Sequence, residues 1–268
     1  MSTIGITDRE FSRFQRFIYT KAGITLPAAK KALVSGRLAK RLQQYGLGSY
    51  REYFQLLMSG KAAQEVQTAV DLLTTNETSF FREPKHFELL REVAVTARSR
   101  TQPLRVWCAA SSTGEEAYSI AMVLADCLEG RSWEVVGSDV SQRVLERARG
   151  GHYTAAQARN VPRSYLHRFC LKGVGSQNDT VLVDQAVRAR VRFIQVNLNE
   201  PLPQLGTFDL IFLRNVMIYF NNDTKREVIA RVLSLLNLGG YLLIGHSETL
   251  GDLATGVKRV APSIYRKS

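Results

Sequence analysis

The sequence predicts an α/β domain built on a doubly wound sheet, with a small antiparallel β-subdomain inserted into it and an all-helical domain before it. Three observations carry this. Apolar runs of strand length recur at 104–110, 134–139, 191–196, 208–214 and 240–246, with helical segments between them, the pattern of a parallel sheet covered on both faces. The first run ends in Cys108-Ala109-Ala110-Ser111-Ser112-Thr113-Gly114 and then Glu115-Glu116, a strand, small-residue loop and helix start of the kind at which such sheets bind ligands. Residues 1–75 show helical periodicity alone.

The helices follow in order. Thr7-Asp8-Arg9-Glu10 opens the first, with Phe11, Phe14, Phe17 and Ile18 at helical spacing. Gly23 and Pro27 break it. A second helix runs from about Lys30 to Tyr45, a third from about Tyr50 to Met58, and a fourth from about Ala62 to Leu73. Gly46-Leu47-Gly48-Ser49 and Ser59-Gly60 punctuate them. In the second, Lys30, Arg37 and Arg41 share an arc of roughly 40° beside the apolar stripe Val34, Leu38, Leu42 and Tyr45. A solvated polar face explains that cluster; so does a docking face for an acidic helical partner.

Residues 76–103 read as a linker and the first helix of the α/β part, and 104–268 as its body. The strand–helix alternation is interrupted at about 165–190, where Gly173-Val174-Gly175 and the alternating Val181-Leu182-Val183 indicate the antiparallel insert.

Composition narrows the class. The 268 residues suffice for one large or two smaller cores, and the net charge of +12 favours an acidic partner. Residues 1–75 hold 11 Lys/Arg and 5 Asp/Glu, so +6 of that charge sits there. Cys108, Cys127 and Cys170 are scattered, so neither a metal site nor a disulfide framework is expected. No apolar run is long enough for a membrane span, and no secretory signal is visible. A reduced, cytoplasmic protein is expected.

The loop lacks G-x-G-x-x-G, and Glu115 and Glu116 stand where a pyrophosphate would rest. This disfavours a dinucleotide and points to a nucleoside carrying positive charge. Asp139, at a strand end, suits the two hydroxyls of a ribose, although it also suits a helix cap near Ser141. Asn197-Leu198-Asn199 offers amides to the same crevice, or simply a turn before Pro201. Arg214-Asn215 ends the next apolar strand, and Tyr219 follows within a helical turn, either over the site or in ordinary packing. Thr74-Thr75-Asn76-Glu77-Thr78-Ser79-Phe80-Phe81-Arg82 is either a structured linker with its phenylalanines buried or a strap that presents Arg82 to an anion.

Together these segments, with Gly245-His246-Ser247-Glu248 near the end, resemble the chemotaxis receptor methyltransferases, bacterial protein-glutamate O-methyltransferases that use S-adenosylmethionine. The resemblance covers nearly the whole chain. It implies a class I methyltransferase domain with a small β-subdomain, preceded by a helical receptor-docking domain. It implies cofactor contacts at Asn76, Thr78, Arg82, Glu116, Asp139, Asn197, Leu198, Arg214 and Asn215, with Arg82 and Tyr219 beside the transferred methyl. The product is then S-adenosylhomocysteine. Implied partners are the acidic cytoplasmic helices of chemoreceptors, docked through Lys30, Arg37 and Arg41, and a receptor C-terminal peptide tethered near Gly173, Val174 and Gly175. Recruitment to receptor arrays, a monomer, no metal, no membrane insertion and no nucleic-acid partner are expected. A methyltransferase acting on nucleic acid or another protein is the competing reading, but Leu213-Arg214-Asn215-Val216 replaces the N-P-P-Y strand end of amino-directed DNA enzymes.

Overall fold

The computed structural model describes residues 4–253 and 256–268. The chain divides into two compact units: one is the N-terminal part through Thr75 together with Tyr219–Lys225, and the other is Asn76–Ile218 with Arg226–Ser268.

The first unit holds four α-helices: α1 (Asp8–Ala22), α2 (Lys31–Gln44), α3 (Tyr50–Met58) and α4 (Ala63–Leu73). Local chemistry sets their ends. Thr7 and Glu10 form a reciprocal capping box at the start of α1, and Gly23, at φ 71°, closes it in the left-handed region. Ser49 caps α3 through the Glu52 amide. Phe14 sits at the centre, edge-on to Tyr50 and stacked on Tyr53 with centroids 6.3 and 6.2 Å away. Burying side chains of this size contributes roughly 1.5–3 kcal/mol each. Phe220 bridges to Ile24, and the Thr25 amide donates to the Tyr219 carbonyl at 2.8 Å, which ties the late segment into this unit.

Two expectations for α2 are corrected. Lys30 lies in a 3-10 turn before the helix, so it does not share the helical arc with Arg37 and Arg41. Nor are those two arginines free for docking. Arg37 donates to the carbonyls of Leu73 and Thr74, at 3.3 and 2.8 Å. Arg41 grips the buried Glu65 through two nitrogens, and the same carboxylate accepts Tyr53 Oη at 2.6 Å and Tyr45 Oη at 3.1 Å. The cations are used to close the helical unit. Tyr45, expected in the apolar stripe, is exposed, with its hydroxyl donating to Glu65.

The second unit begins with α5 (Lys85–Thr96), then β1 (Leu104–Cys108), α6 (Glu115–Cys127), β2 (Trp133–Asp139), α7 (Gln142–Gly150) and β3 (His152–Thr154). It continues with α8 (Arg163–Phe169), β4 (Cys170–Lys172), β5 (Thr180–Val183), α9 (Gln185–Arg188), β6 (Val191–Gln195) and β7 (Phe208–Leu213). Helix α10 (Asn222–Ser234) starts in the segment counted with the first unit, and β8 (Leu236–Ile244), β9 (Val257–Ala261) and β10 (Ile264–Lys267) complete the chain. The large sheet has the order β6-β2-β1-β7-β8-β10-β9. Its first five strands are parallel; β10 is reversed and pairs antiparallel with β8 on one side and β9 on the other.

The five apolar runs all lie in the parallel strands, as expected. Strand β9 at the edge and β10 beside it are short and charged, so they carry no apolar run. The small sheet β3-β5-β4 also reaches outside 165–190, because β3 comes from His152–Thr154. Only Tyr153 of β3 is buried, too little for a strand period.

Trp107 and Phe208 stack inside the large sheet with centroids 5.6 Å apart. Gly137 is required in β2: a Cβ there would lie 2.6 Å from the Phe193 ring on neighbouring β6. Strand order reverses at β1, whose neighbours are β2 and β7. The carboxyl ends of these three strands therefore frame the crevice where such sheets bind ligands.

Candidate functional site

The loop after β1 is held from several sides. Ser111 donates its amide to the Ser138 carbonyl at 2.8 Å, and Tyr153 Oη donates to the Thr113 carbonyl at 2.7 Å. Ser112 stands at φ 47° and Gly114 at φ 96°. A side chain at Gly114 would come within 2.9 Å of both Ala148 Cβ and Tyr153 Oη. The loop thus turns into α6 through a left-handed step that only glycine makes without strain.

Asp139 ends β2 and is buried. Its Oδ2 accepts the Ser112 amide and its Oδ1 the Ser141 amide, each at 3.0 Å. Ser141 occupies the N-cap position of α7, but its side chain makes no capping bond there. A carboxylate offers about four acceptor positions, so this arrangement is compatible with also receiving ribose hydroxyls. The end of β6 is tied in by the Val196 amide, 3.0 Å from the Asp139 carbonyl. Asn197 next to it forms a turn, accepting the Asn199 amide on Oδ1 at 3.1 Å, and buried Leu198 gives its carbonyl to Arg231 at 2.8 Å.

Arg214, at the end of β7, is the hub. It is buried, pairs with Glu116 of α6, and donates to the Arg82 carbonyl at 2.6 Å. Its Nη2 also lies 3.0 Å from Glu83 Oε2. Burial alone would push the Glu83 carboxyl up, but the Arg214 charge and the His246 amide outweigh it and hold it below the usual range. Cys108 donates its thiol to Glu116 Oε1 at 3.1 Å, and burial followed by that carboxylate drives the thiol well above its ordinary pKa.

One electrostatic expectation changes here. Glu115 and Glu116 do not act together as free anions inviting a cation. Glu116 comes with Arg214 as its counter-ion. Glu115 is buried, takes the Thr113 hydroxyl at 2.7 Å, and burial raises its pKa. The net charge of the loop is therefore no argument for a cationic ligand.

The strap joins this arrangement at several points. Asn76 gives its carbonyl to Ser112 Oγ at 2.9 Å, the Phe81 amide donates to Ser119 Oγ at 3.0 Å, and Phe80 is buried edge-on to Tyr153. Phe81 and Glu83 both have positive φ, 51° and 61°. Thr78 is half-buried on the same strap. Arg82 is half-buried as well, and among the described residues its guanidinium has no hydrogen bond or ion pair, although its carbonyl is fixed. Asn215 sits at φ 55° just beyond Arg214. Tyr219 belongs to the segment counted with the helical unit.

Sequence reasoning passed over Glu248 as a working residue. Its carboxylate accepts four amides: Asn215 and Gly245 on Oε2 at 2.9 and 2.7 Å, Met217 and Ile218 on Oε1 at 2.8 and 3.3 Å. It shapes the turn after β7. Its signal was there in Gly245-His246-Ser247-Glu248, a polar cluster at the carboxyl end of an apolar strand. Glu83 and His86 were also passed over.

A doubly wound sheet with a strand-end aspartate and a loop without a phosphate cradle is a frame suited to a nucleoside cofactor. Residues 76–265 match the CheR methyltransferase SAM-binding domain and residues 9–74 the CheR methyltransferase all-alpha domain. The chain belongs to the CheR methyltransferase family. It is similar to the chemotaxis protein methyltransferase of Escherichia coli (strain K12), 42% identical over 99% of this chain and 93% of that protein. The chemotaxis protein methyltransferase of Salmonella typhimurium is 39% identical over 99% of this chain and 92% of its own. That of Borreliella burgdorferi is 34% identical over 99% and 96%.

Proposed function

We propose that this chain methylates glutamate side-chain carboxylates on chemoreceptors, forming methyl esters during chemosensory adaptation. S-adenosylmethionine, when bound, supplies an electrophilic methyl group. Asp139 holds the ribose, and the strap residues Asn76 and Thr78, with Glu116, Asn197, Leu198, Arg214 and Asn215, make the remaining cofactor contacts. An unperturbed glutamate has a pKa of about 4.3, so the acceptor is already ionised at neutral pH and the protein has no proton to remove. Its task is positioning and exclusion of water.

The observation that carries this reading is Arg82. A half-buried guanidinium without an internal partner, on a backbone clamped by Arg214, is a cation presented to an anionic substrate. It orients the glutamate carboxylate. Tyr219 has the second positioning role. Arg82→Ala therefore lowers kcat for methyl transfer to receptor membranes by about tenfold or more while S-adenosylmethionine affinity stays within about twofold. Equal turnover of mutant and parent would remove Arg82 from the mechanism. Label transferred to nucleic acid but not to receptor would favour the competing reading.

The tethering role proposed for the β-subdomain is supported by its edge. Strand β4 pairs only with β5 in the small sheet, and Leu171 and Val174 are exposed beside it. Gly173 is needed in this turn, since a Cβ there would meet the Gln177 carbonyl at 1.9 Å. An open strand edge with apolar side chains accepts an extended peptide by strand addition. Among the described residues no helix is long and apolar enough to cross a membrane. Docking through the helical unit remains part of the proposal, but with Arg37 and Arg41 committed internally it relies on other basic side chains of that unit.

A further inference from the structure

We infer that Glu83, His86 and His246 form a binding site for one divalent transition-metal ion, beside the strap that carries Arg82. One ligand atom from each residue lies within 4.8 Å of the others. His86 Nδ1 is 3.5 Å and His246 Nε2 3.6 Å from Glu83 Oε2. Ligands of a tetrahedral zinc ion, bound at ~2.0–2.1 Å, stand about 3.4 Å apart.

Two buried atoms point the same way. His86 Nδ1 and Glu83 Oε2 are both buried without a hydrogen bond of good geometry, the Arg214 contact at 3.0 Å being an ion pair. His86 Nε2 lies 3.0 Å from Ser263 Oγ, so Nδ1 is the ring nitrogen that faces Glu83.

A cation between these atoms would satisfy both, and a neutral imidazole is the form that ligates metal. Formal charge also favours a cation, since Glu83 and Glu116 stand against Arg214 alone and leave one negative charge over. The His86–Ser263 hydrogen bond is the outer contact that orients a ligating histidine. His246 is half exposed and provides the route in. Two imidazole nitrogens and one carboxylate oxygen suit Zn²⁺, Co²⁺ or Ni²⁺ better than Mg²⁺ or Ca²⁺. Nothing in the sequence announced this set, because the ligands come from the strap, the start of α5 and the turn after β8.

The test is a titration of chelator-stripped protein with Co²⁺, followed by its visible absorption, and with Zn²⁺ by calorimetry. One equivalent should bind, with the bands of a four-coordinate site. His246→Ala, a change at the surface, should weaken binding by about tenfold or more. Of the four histidines, the other two are His152 and His167; replacing both with alanine should leave binding unchanged. Absence of a bound equivalent, or equal affinity in His246→Ala, would each overturn the assignment. None of these readouts depends on methyl transfer.

Discussion

Arg214→Met removes the one cation that two buried carboxylates share. The side chains of Arg214, Glu83 and Glu116 are 1%, 11% and 12% exposed, so water compensates little. Removing one member of a buried ion pair costs about 3–5 kcal/mol, because the stranded charge keeps its desolvation penalty. The Arg82 carbonyl also loses its donor. For a chain of this size, ~2–4 °C per kcal/mol translates that cost into a fall in Tm of ~6–20 °C. Urea unfolding followed by tryptophan fluorescence reads the effect where it occurs, since the two tryptophans lie in β1 and β2 of the second unit. A cycle with Glu116→Gln should show the double mutant less destabilised than the sum of the singles, with a coupling of about 1–3 kcal/mol. If Arg214→Met unfolds within about 0.5 kcal/mol of the parent, the hub described here is wrong.

Three further outcomes follow from named contacts. Burial alone would raise the Glu65 carboxyl, but hydrogen bonds from Arg41 and Tyr53 outweigh it and hold it below its usual value. A depressed pKa stabilises above the unfolded value of about 4.3 and loses that contribution as pH falls through the folded value; Glu65→Gln should lower stability at pH 7 and flatten the loss in acid, and an unchanged acid slope would contradict this. Gly114→Ala places a methyl 2.9 Å from Ala148 Cβ at φ 96°, costing about 1–3 kcal/mol, and calorimetry should show weaker S-adenosylmethionine binding. Glu248→Gln turns one acceptor into a donor facing two amides, so hydrogen exchange at Met217 and Gly245 should quicken and methyl transfer should fall; unaltered exchange would mean the turn holds itself.

The parts that could be read from the chain are those set by neighbours in sequence. A capping box at Thr7 and Glu10, glycine at the end of α1, and a serine before α3 act within a few residues, so helix starts and stops were legible. Buried strands announced themselves by apolar runs. Strands β3, β9 and β10 did not, since each is short and none buries more than two residues. Charge was the least legible property. Arg37 and Arg41 looked like a surface stripe, yet their partners are Leu73, Thr74 and Glu65, more than twenty residues on.

The strand–loop–helix junction, the acidic strand end and the Arg214-Asn215 exit were determined by the sequence alone, because a parallel sheet must bring those ends to one edge. Which charges are free was decided only by the tertiary structure. Glu116 is neutralised by Arg214, and among the described residues the Arg82 guanidinium is left unpaired. His246 meets Glu83 only because the turn after β8 and the strap fold against each other. Pairing depends on distances of a few ångströms between residues far apart in the chain, and the order of amino acids does not encode those distances locally.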